Sequence, residues 1–192
     1  ALKKVIARVD LIIINEGEPG DSLYVVLSGR AKVYVADEEG REMILDTRGP
    51  GDLLGEMTLD GGPRSASVMC LEPASFAVVT RAALREAIAA DPDFALQLIS
   101  TLIARARLAT DQVKNLALLD VYGRVARLLL QLAVEKDGRQ VVAERLTQQD
   151  IADRVGASRD MINRIFKELT TGGYIRIENR QIVILRRPPA RW

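Results

Sequence analysis

The chain has 192 residues, of which 48% are hydrophobic and 28% charged, the proportions of an ordinary globular protein. Its longest apolar runs are far shorter than the roughly 18 residues that a membrane span needs, and its first residues lack the apolar core and cleavage site of a signal peptide. We therefore expect a soluble cytoplasmic protein with no membrane partner.

The cysteine and histidine content excludes whole classes of site. The chain contains one cysteine, Cys70, and no histidine. An internal disulfide, a cysteine-ligated iron–sulfur cluster, a His-based zinc site, a Ser-His-Asp triad and a haem with a proximal histidine are thereby excluded. Cys70 lies in the apolar run ASVMCL, which predicts a buried small hydrophobic side chain rather than a reactive thiol. We expect no metal, haem or iron–sulfur cofactor.

The net charge of +1 conceals an asymmetry along the chain. Residues 1–119 hold 13 Lys and Arg against 17 Asp and Glu, a net charge of −4. Residues 120–192 hold 14 against 9, a net charge of +5. A basic C-terminal part joined to an acidic body predicts that the smaller part contacts a polyanion.

Short strand-like runs recur between turn signals from about residue 10 to residue 80. The runs are DLIIIN, SLYVVLSG, AKVYVAD, EMILDT, SASVMCL and SFAVVT, separated by turn formers such as EGEPGD, EEGR, RGPGD and LDGGP. Many short strands with Gly, Pro and Asp turns predict an antiparallel roll or sandwich. A small β domain of this kind usually holds a ligand in its interior or at one edge.

Residues 55–68, GEMTLDGGPRSASV, contain more than a hairpin requires. DGGP alone is a sound turn, whereas Gly55 and Glu56 before it and Arg64 and Ser65 after it serve no purpose in the turn. One interpretation is a salt bridge between Glu56 and Arg64, which contributes little at a surface and leaves the flanking Gly and Ser unexplained. The other interpretation, which we favour, is a binding site.

A long helix is predicted from residue 91 to about residue 119. Asp91 is a good N-cap, Pro92 suits the first helical position, and no Gly or Pro follows before residue 120. Apolar residues recur at alternating spacings of four and three: Ala95, Ile99, Leu102, Ala106, Ala109, Val113 and Leu116. This heptad pattern indicates either an intramolecular core helix or a parallel homodimer seam. A helix about 42 Å long exceeds a small β domain, so we favour the homodimer.

The last part of the chain predicts short helices followed by strands. DVYGRVARLLLQLAVEK is amphipathic up to the DGR stop, and QVVAERL suggests a brief strand. Thr147 can cap the helix TQQDIADRV, with Asp150 as its capping-box partner, and Ser158 can cap SRDMINRIFKELT after Gly156. Spacing places a set of apolar residues inward: Ile151, Ala152, Val155, Met161, Ile162, Ile165, Phe166 and Leu169.

Two short helices joined through a Gly-containing turn form a helix-turn-helix, and the hairpin GGYIRI…RQIVIL after it is typical of winged DNA-binding domains. The second helix would place Ser158, Arg159, Asp160, Asn163, Arg164 and Lys167 towards DNA. Arginine can donate a bidentate pair to guanine, and an acid can accept from the cytosine amine. Five basic side chains are available for phosphate: Arg127, Arg145, Arg154, Lys167 and Arg180. The alternative is a solvated helix face.

The segments GDLLGEMTLDGGPRSASV, DEEGREMIL, NLALLDVYGRVARLLLQLA and LTQQDIADRVGASRDMINRIFKEL resemble the cAMP receptor protein/FNR family of bacterial transcription regulators. The resemblance covers nearly the whole chain and implies an α+β fold: a cyclic-nucleotide-binding, jelly-roll-like β-roll (1–90), a long dimerisation helix (91–119) and a C-terminal winged helix-turn-helix (120–192). The N-terminus is short for the family, which suggests a missing segment before or within the first strand.

The resemblance identifies residues 55–67 with the family's phosphate-binding cassette. It implies that Arg64 takes the cyclic phosphate with the hydroxyl and backbone N–H of Ser65, while Glu56 accepts from the ribose 2′-OH. Gly55 permits close approach of the backbone, and Met57 belongs to the same set. The implied allosteric effector is cAMP or a related cyclic nucleotide.

At the base, the family's cAMP binders place a Thr-Ser pair on the dimer helix, where this chain has Ala109 and Thr110. Thr110 keeps the hydroxyl that would reach from the partner subunit, and the loss of the other contact would weaken binding by roughly 1 kcal/mol. The alternatives are another purine, cyclic di-GMP or another small molecule, and an effector-independent regulator.

The family's other partners are also implied. Arg159, Asp160 and Arg164 fall where the family reads bases with Arg, Glu and Arg, which suggests a palindromic double-stranded site with half-sites resembling TGTGA. The acidic turn from Asp37 to Glu42 resembles a hairpin that touches RNA polymerase, the alternative being a plain exposed turn. We expect ligand binding to act on the hinge at 119–120. We do not expect an enzyme, since no nucleophile–base pair or metal set accompanies Glu56 and Arg64.

Overall fold

The computed structural model describes residues 3–136 and 138–189. The chain divides into two compact units, one ending at Ala104 and the other beginning at Arg105. The boundaries expected from the sequence, at 90/91 and 119/120, stay predictions. Each unit is described by itself below.

The first unit is a β-roll built from two four-stranded antiparallel sheets. Their orders are β1-β8-β3-β6 and β2-β7-β4-β5. The strands are β1 (Lys3–Ala7), β2 (Ile12–Ile14), β3 (Ser22–Ser28), β4 (Ala31–Ala36), β5 (Glu42–Arg48), β6 (Leu53–Leu54), β7 (Ser67–Cys70) and β8 (Ala74–Thr80). Alternate residues of these strands point inward and form one core between the sheets, with Val26, Val68 and Phe76 at most 3% exposed. The predicted roll is confirmed.

Two strands of the first unit show no clear sequence pattern, and two helical elements complete the unit. Strand β1 is largely exposed and begins with two lysines, and β6 has only two residues, so neither shows a recognisable alternation. Helix α1 (Arg81–Ala90) follows β8 directly, with Thr80 Oγ1 accepting a 3.2 Å hydrogen bond from Ala83 N as its N-cap. Between β6 and β7 lies a 3-10 helix, Glu56–Asp60.

The long helix α2 spans Pro92–Leu118, close to the predicted range. The Asp91 side chain accepts a 3.1 Å hydrogen bond from Asp93 N, as its predicted capping role requires. Leu98 is buried with Leu23, and Leu102 packs against the same cluster. Leu102 therefore contributes to packing within its own unit, and its predicted place in a seam with a second chain stays a prediction.

The second unit contains three helices and a four-stranded sheet of order β11-β12-β10-β9. Its elements are α3 (Val121–Gln131), β9 (Ala133–Lys136), β10 (Arg139–Val142), α4 (Gln148–Val155), α5 (Arg159–Thr171), β11 (Ile175–Glu178) and β12 (Gln181–Ile184). The predicted helix through residue 136 ends at Gln131, because residues 133–136 pair with β10 as a strand. Asp137, in the predicted stop, lies outside the described residues.

The caps of the helix-turn-helix follow the prediction. The Thr147 side chain accepts from Asp150 N at 3.1 Å, and Asp150 Oδ2 accepts from Thr147 N at 2.7 Å, which completes a capping box. Gly156 ends α4 in the left-handed conformation, and Ser158 Oγ accepts from Met161 N at 3.3 Å at the start of α5. The predicted inward residues are buried except Met161, which is 39% exposed because it lies on the solvent side of α5, whereas the adjacent Ile162 faces the core.

None of the described helices is, by itself, long and apolar enough to cross a membrane. Taken together, α1 and α2 meet the length and composition, but the pair is bent by 120° at its break.

Candidate functional site

Arg64 turns into the β-roll rather than towards solvent. The residue is 8% exposed. Its Nη1 donates a 2.9 Å hydrogen bond to the Gly55 carbonyl, and its Nη2 donates a 2.9 Å hydrogen bond to the Ser22 carbonyl. The guanidinium carbon lies 6.0 Å from the centre of the Tyr24 ring. The fold thus buries a cation between β3 and the turn after β6.

Two glycines make room for this guanidinium. A Cβ on Gly20 would lie 2.5 Å from Arg64 Cζ, and a Cβ on Gly55 would overlap Arg64 Nη1. Gly55 also has φ +75°, a conformation that favours glycine. Side chains at these positions would push the guanidinium out of its place, so both glycines shape the site.

The other predicted ligand residues of the first unit flank Arg64 in the chain. Glu56 is half-buried and begins the 3-10 helix directly after Gly55. Met57 is 58% exposed, and Ser65 is exposed next to Arg64. The structure brings Gly55 into contact with Arg64, while the roles of Glu56, Met57 and Ser65 in binding stay predictions.

Ala109 and Thr110 are exposed residues of α2 in the second unit. The Thr110 hydroxyl donates a 2.9 Å hydrogen bond to the Ala106 carbonyl of the preceding turn. A threonine satisfied in this way is available to a ligand only through its lone pairs or after rotation. The contacts of Ala109 and Thr110 with a base stay predictions.

Ser22, Tyr24 and Gly20 belong to the surroundings of Arg64 and were missed by sequence reasoning. They precede or begin β3, about 40 residues from Arg64 in the chain. The one local signal was the turn GEPGD, whose second glycine is Gly20. Its importance follows only from the guanidinium that packs against it.

The second candidate site is the solvent face of α5. Six residues predicted to face DNA are all exposed: Ser158, Arg159, Asp160, Asn163, Arg164 and Lys167. The opposite face of the same helix is buried in the core through Ile162, Ile165 and Leu169. Asn163 Oδ1 accepts a 2.8 Å hydrogen bond from Gln148 Nε2, which ties the exposed faces of α4 and α5 together.

The additional basic residues are not equivalent. Arg145 and Arg180 are exposed, and Arg127 is half-buried. Arg154 forms a 2.7 Å ion pair with Glu144. Arg154 is therefore less available for phosphate than its charge alone suggests.

The described residues contain no cluster of three or more Cys, Asp or Glu side chains that could hold a metal ion. Burial raises the pKa of the Cys70 thiol, which is fully buried in the roll, so the thiol form is favoured at neutral pH. Cys70 is a core residue, as predicted.

Comparison with known proteins identifies two domain types in the chain. Residues 8–91 match the family model of the cyclic nucleotide-binding domain, and residues 123–189 match that of the Crp-like helix-turn-helix domain. The chain is 37% identical over 193 residues to a CRP-like cAMP-activated global transcriptional regulator of Mycobacterium tuberculosis, covering 96% of this chain and 86% of the relative. It is 36% identical to the cAMP-activated global transcriptional regulator CRP of Salmonella typhimurium, covering 90% and 84%.

The fold is shared with solved structures of the same kind. A c-di-GMP-responsive global regulator of Xanthomonas campestris superposes with a TM-score of 0.82 at 24% identity, over 95% of this chain and 93% of the other, a likeness that shows the fold alone. Matches to both domain types, in this order, together with relatives above 30% identity over nearly the whole chain, identify the protein. It belongs to the Crp-Fnr family of transcription regulators, with an N-terminal cyclic nucleotide-binding domain and a C-terminal helix-turn-helix domain.

Proposed function

We propose that the β-roll binds a cyclic nucleotide, cAMP in the first place, and that this ligand is the allosteric effector of DNA binding. The observation that carries the proposal is the guanidinium of Arg64, which lies inside the roll beside Gly55. A guanidinium in a dry site can pair with the single negative charge of a cyclic phosphate and hydrogen-bond its oxygens. Both curated relatives described above are cAMP-activated, which supports this choice.

The neighbours of Arg64 supply the other contacts in this proposal. Ser65 adds a hydroxyl and a backbone N–H to the phosphate, and Glu56 accepts from the ribose 2′-OH. Gly55 lets the sugar-phosphate approach the backbone, since it has no side chain. Met57 covers the ligand from its exposed position. In this assignment Arg64 is the one cation that pairs with the phosphate, and other residues contact the base of the nucleotide.

A second effector is favoured by one observation: Ala109 lacks the hydroxyl that cAMP binders of the family carry. The protein from Xanthomonas campestris that shares this fold is c-di-GMP-responsive. A cyclic dinucleotide or another small molecule is therefore the second candidate, and an effector-independent regulator the third.

Calorimetry of the purified protein against cAMP, cGMP and c-di-GMP separates these candidates. We expect cAMP to bind to the wild type and Arg64→Gln to weaken that binding more than tenfold. Arg30→Gln is the matched control, because Arg30 is an exposed arginine of the same roll, paired at 3.7 Å with Glu72. Unchanged cAMP affinity in Arg64→Gln would contradict the pocket assignment.

For DNA, we propose that α5 lies in the major groove and that Arg159 and Arg164 each donate to a guanine. Asp160 accepts from a cytosine amine, and Ser158, Asn163 and Lys167 contact the backbone or base edges. Two copies would read a palindrome whose half-sites resemble TGTGA, one helical turn apart. The exposure of all six side chains on one helix face supports this arrangement.

Fluorescence anisotropy with a palindromic duplex tests the proposed interface. Arg159→Ala and Arg164→Ala should each lower specific affinity by about 1–3 kcal/mol and relax the preference at one base pair. Lys167→Gln should weaken binding to all sequences and reduce the salt slope by about 1. Equal losses on specific and random duplexes for both arginine variants would rule out base reading.

We propose that α2 mediates a parallel homodimer. Leu96, Ile99 and Ile103 are 62%, 50% and 48% exposed at spacings of three and four, as a coiled-coil seam requires. Ile99→Asp should therefore shift the sedimentation coefficient towards that of a monomer. In such a dimer, the effector shifts a two-state equilibrium about the hinge at 119–120 only by its differential affinity for the two states.

Two further aspects of the proposal follow from its class. The acidic turn from Asp37 to Glu42 is the proposed contact with RNA polymerase, which charge reversal at Glu38, an exposed residue, should weaken in a transcription assay. A regulator of this kind acts in the cytoplasm and needs no catalysis, so cAMP incubated with the protein should be recovered intact.

A further inference from the structure

Two charged side chains on β5, Asp46 and Arg48, face the interior of the β-roll. In the β4–β5 pair, Val33 lies opposite Asp46 and Ala31 lies opposite Arg48. Directly opposite residues of an antiparallel pair project from the same face of the sheet. Ala31 is fully buried in the core of the roll, and Val33 packs against that core.

The next strand extends the same two rows. On β7, Val68 lies opposite Val33 and Cys70 lies opposite Ala31, and both Val68 and Cys70 are core residues. Each row is thus apolar across two strands and ends in a charge on the third. In these two rows the interior face changes from apolar to polar at β5.

The two charges form a pair that a bound molecule could still contact. Arg48 Nη2 lies 2.5 Å from Asp46 Oδ2, and their side chains are 17% and 24% exposed. Asp46 Oδ1 also accepts a 2.7 Å hydrogen bond from Thr47 N. Among the residues that the structure describes, Asp46 is the one side-chain partner of the Arg48 guanidinium, which carries five N–H donors.

This ion pair could have two other roles: protecting the sheet edge or binding a second phosphate. Both explain the pair less well than contact with a base does. Strand β5 is the edge of its sheet, and inward charges on an edge discourage pairing with other chains, but a single charge would suffice for that. A site for a second phosphate would need a net positive charge, whereas the pair is neutral. The Asp46 carboxylate is an acceptor and the Arg48 guanidinium beside it is a donor. Together they match the edge of a neutral purine, where an amine that donates lies beside a ring nitrogen that accepts.

We propose that Asp46 and Arg48 read the base of the cyclic purine nucleotide whose phosphate Arg64 takes. Asp46 accepts from the exocyclic amine, and Arg48 donates to the adjacent ring nitrogen. Arg64 is held by β3 and the turn after β6 in one sheet, whereas Asp46 and Arg48 belong to the other sheet. Facing sheets lie about 10 Å apart, a span that one nucleotide can bridge. The inference rests on the proposed function of the roll.

Calorimetry of the full chain with two ligands tests it: cAMP and the cyclic monophosphate of purine riboside, which lacks the 6-amino group. We expect the wild type to prefer cAMP by about tenfold, the effect of one hydrogen bond to a charged group. Asp46→Ala should lower the affinity for cAMP about tenfold, leave that for the analogue unchanged, and so abolish the preference.

Glu42→Ala is the matched control. Lys32 and Glu42 form a second half-buried ion pair between the same two strands. Lys32 alternates with Ala31 and Val33, so this pair lies on the outer face. Glu42→Ala should therefore bind both ligands as the wild type does. Arg48→Gln provides a second test if circular dichroism shows that Asp46→Ala is unfolded. Arg48→Gln should weaken the binding of both ligands and keep the preference for cAMP, because both ligands keep the ring nitrogen.

The outcomes separate the two proposals. Two results with a wild type that binds cAMP would overturn base reading by this pair while the nucleotide site stands. One is an equal loss of affinity for both ligands in Asp46→Ala. The other is an unchanged affinity for both ligands in Arg48→Gln. If the wild type binds neither ligand, the proposed function fails and this inference falls with it.

Discussion

Arg124 Nε donates a 2.8 Å hydrogen bond to the carbonyl of Val155, the last residue of α4. The same guanidinium donates to the Leu119 carbonyl at 3.0 Å and to the Gly156 carbonyl at 3.4 Å. One side chain therefore connects the residues just before α3 with the turn of the helix-turn-helix. A guanidinium can form this connection because its planar set of N–H donors can hydrogen-bond several separate acceptors at once.

Arg124→Lys should destabilise the second unit although it keeps the charge. A single ammonium cannot reach the Leu119 and Val155 carbonyls together, so at least one partly buried acceptor loses its donor. We expect the free energy of unfolding in urea to fall by about 1–3 kcal/mol. Arg145→Lys, at an exposed position, is the control and should change little. Equal stability of the two variants would show that the guanidinium is dispensable.

Gly20→Ala should impair ligand binding more than folding. A methyl group there overlaps the flexible end of Arg64, which can move aside but then loses its carbonyl partners. We expect cAMP affinity to fall about tenfold or more, the loss of at least one charge-assisted hydrogen bond. Gly49→Ala is the matched control, since a Cβ at Gly49 meets nothing within 4 Å. Full affinity in Gly20→Ala would mean that the position of the guanidinium is unimportant.

Thr147→Ala should cost about 1 kcal/mol of stability, because it removes the hydroxyl that accepts from Asp150 N and donates to the Asp150 carboxylate. The measurement is the free energy of unfolding in urea. Thr170→Ala removes an exposed threonine near the end of α5 and should be neutral. A similar loss in both variants would indicate that the capping box contributes nothing specific.

The acidic turn at Asp37 should show a measurable dependence on pH. The Arg41 backbone N–H, followed by the Arg41 guanidinium, holds the pKa of the Asp37 carboxyl below its usual value. A lowered pKa in the folded state stabilises the protein above the unfolded pKa of about 3.9. That stabilisation is lost as pH falls through the folded value.

An NMR titration of the Asp37 carboxyl checks the direction. In Arg41→Ala the pKa should rise only part of the way back, because the larger contribution comes from a backbone N–H that the variant retains. A wild-type midpoint at or above the usual value would contradict the expectation, and a complete return in Arg41→Ala would assign the effect to the guanidinium alone.

Local chemistry made much of this fold predictable from the sequence. The caps at Asp91, Thr147 and Ser158 act within three residues, so their partners are already visible in the chain. The left-handed Gly156 and the strand-turn alternation of the roll are local in the same sense. These signals, with the resemblance to a known family, were enough to predict the order of the domains and the exposed face of α5.

Two features depended on contacts that the local sequence pattern does not show. Leu102 fits a heptad seam by spacing, but it packs on a cluster that includes Leu23 of β3. Residues 133–136 continue a helical pattern and yet form β9, because β10 offers them hydrogen-bond partners. For residues 133–136, strand pairing outweighed a local helical preference of a few tenths of a kcal/mol per residue.

The sequence by itself determined the chemical groups of this protein: one arginine after a Gly-rich turn, a capped pair of short helices, and a basic C-terminal part. Only the tertiary structure decided that Arg64 points inward between Gly20 and Gly55, and that Asp46 and Arg48 face the same interior. For Arg64 the physical reason is the space that two glycines distant in the chain leave beside its guanidinium. For β5 it is strand register. A shift of one residue would turn every side chain of β5 to the other face, and register is set by pairing between strands rather than within one.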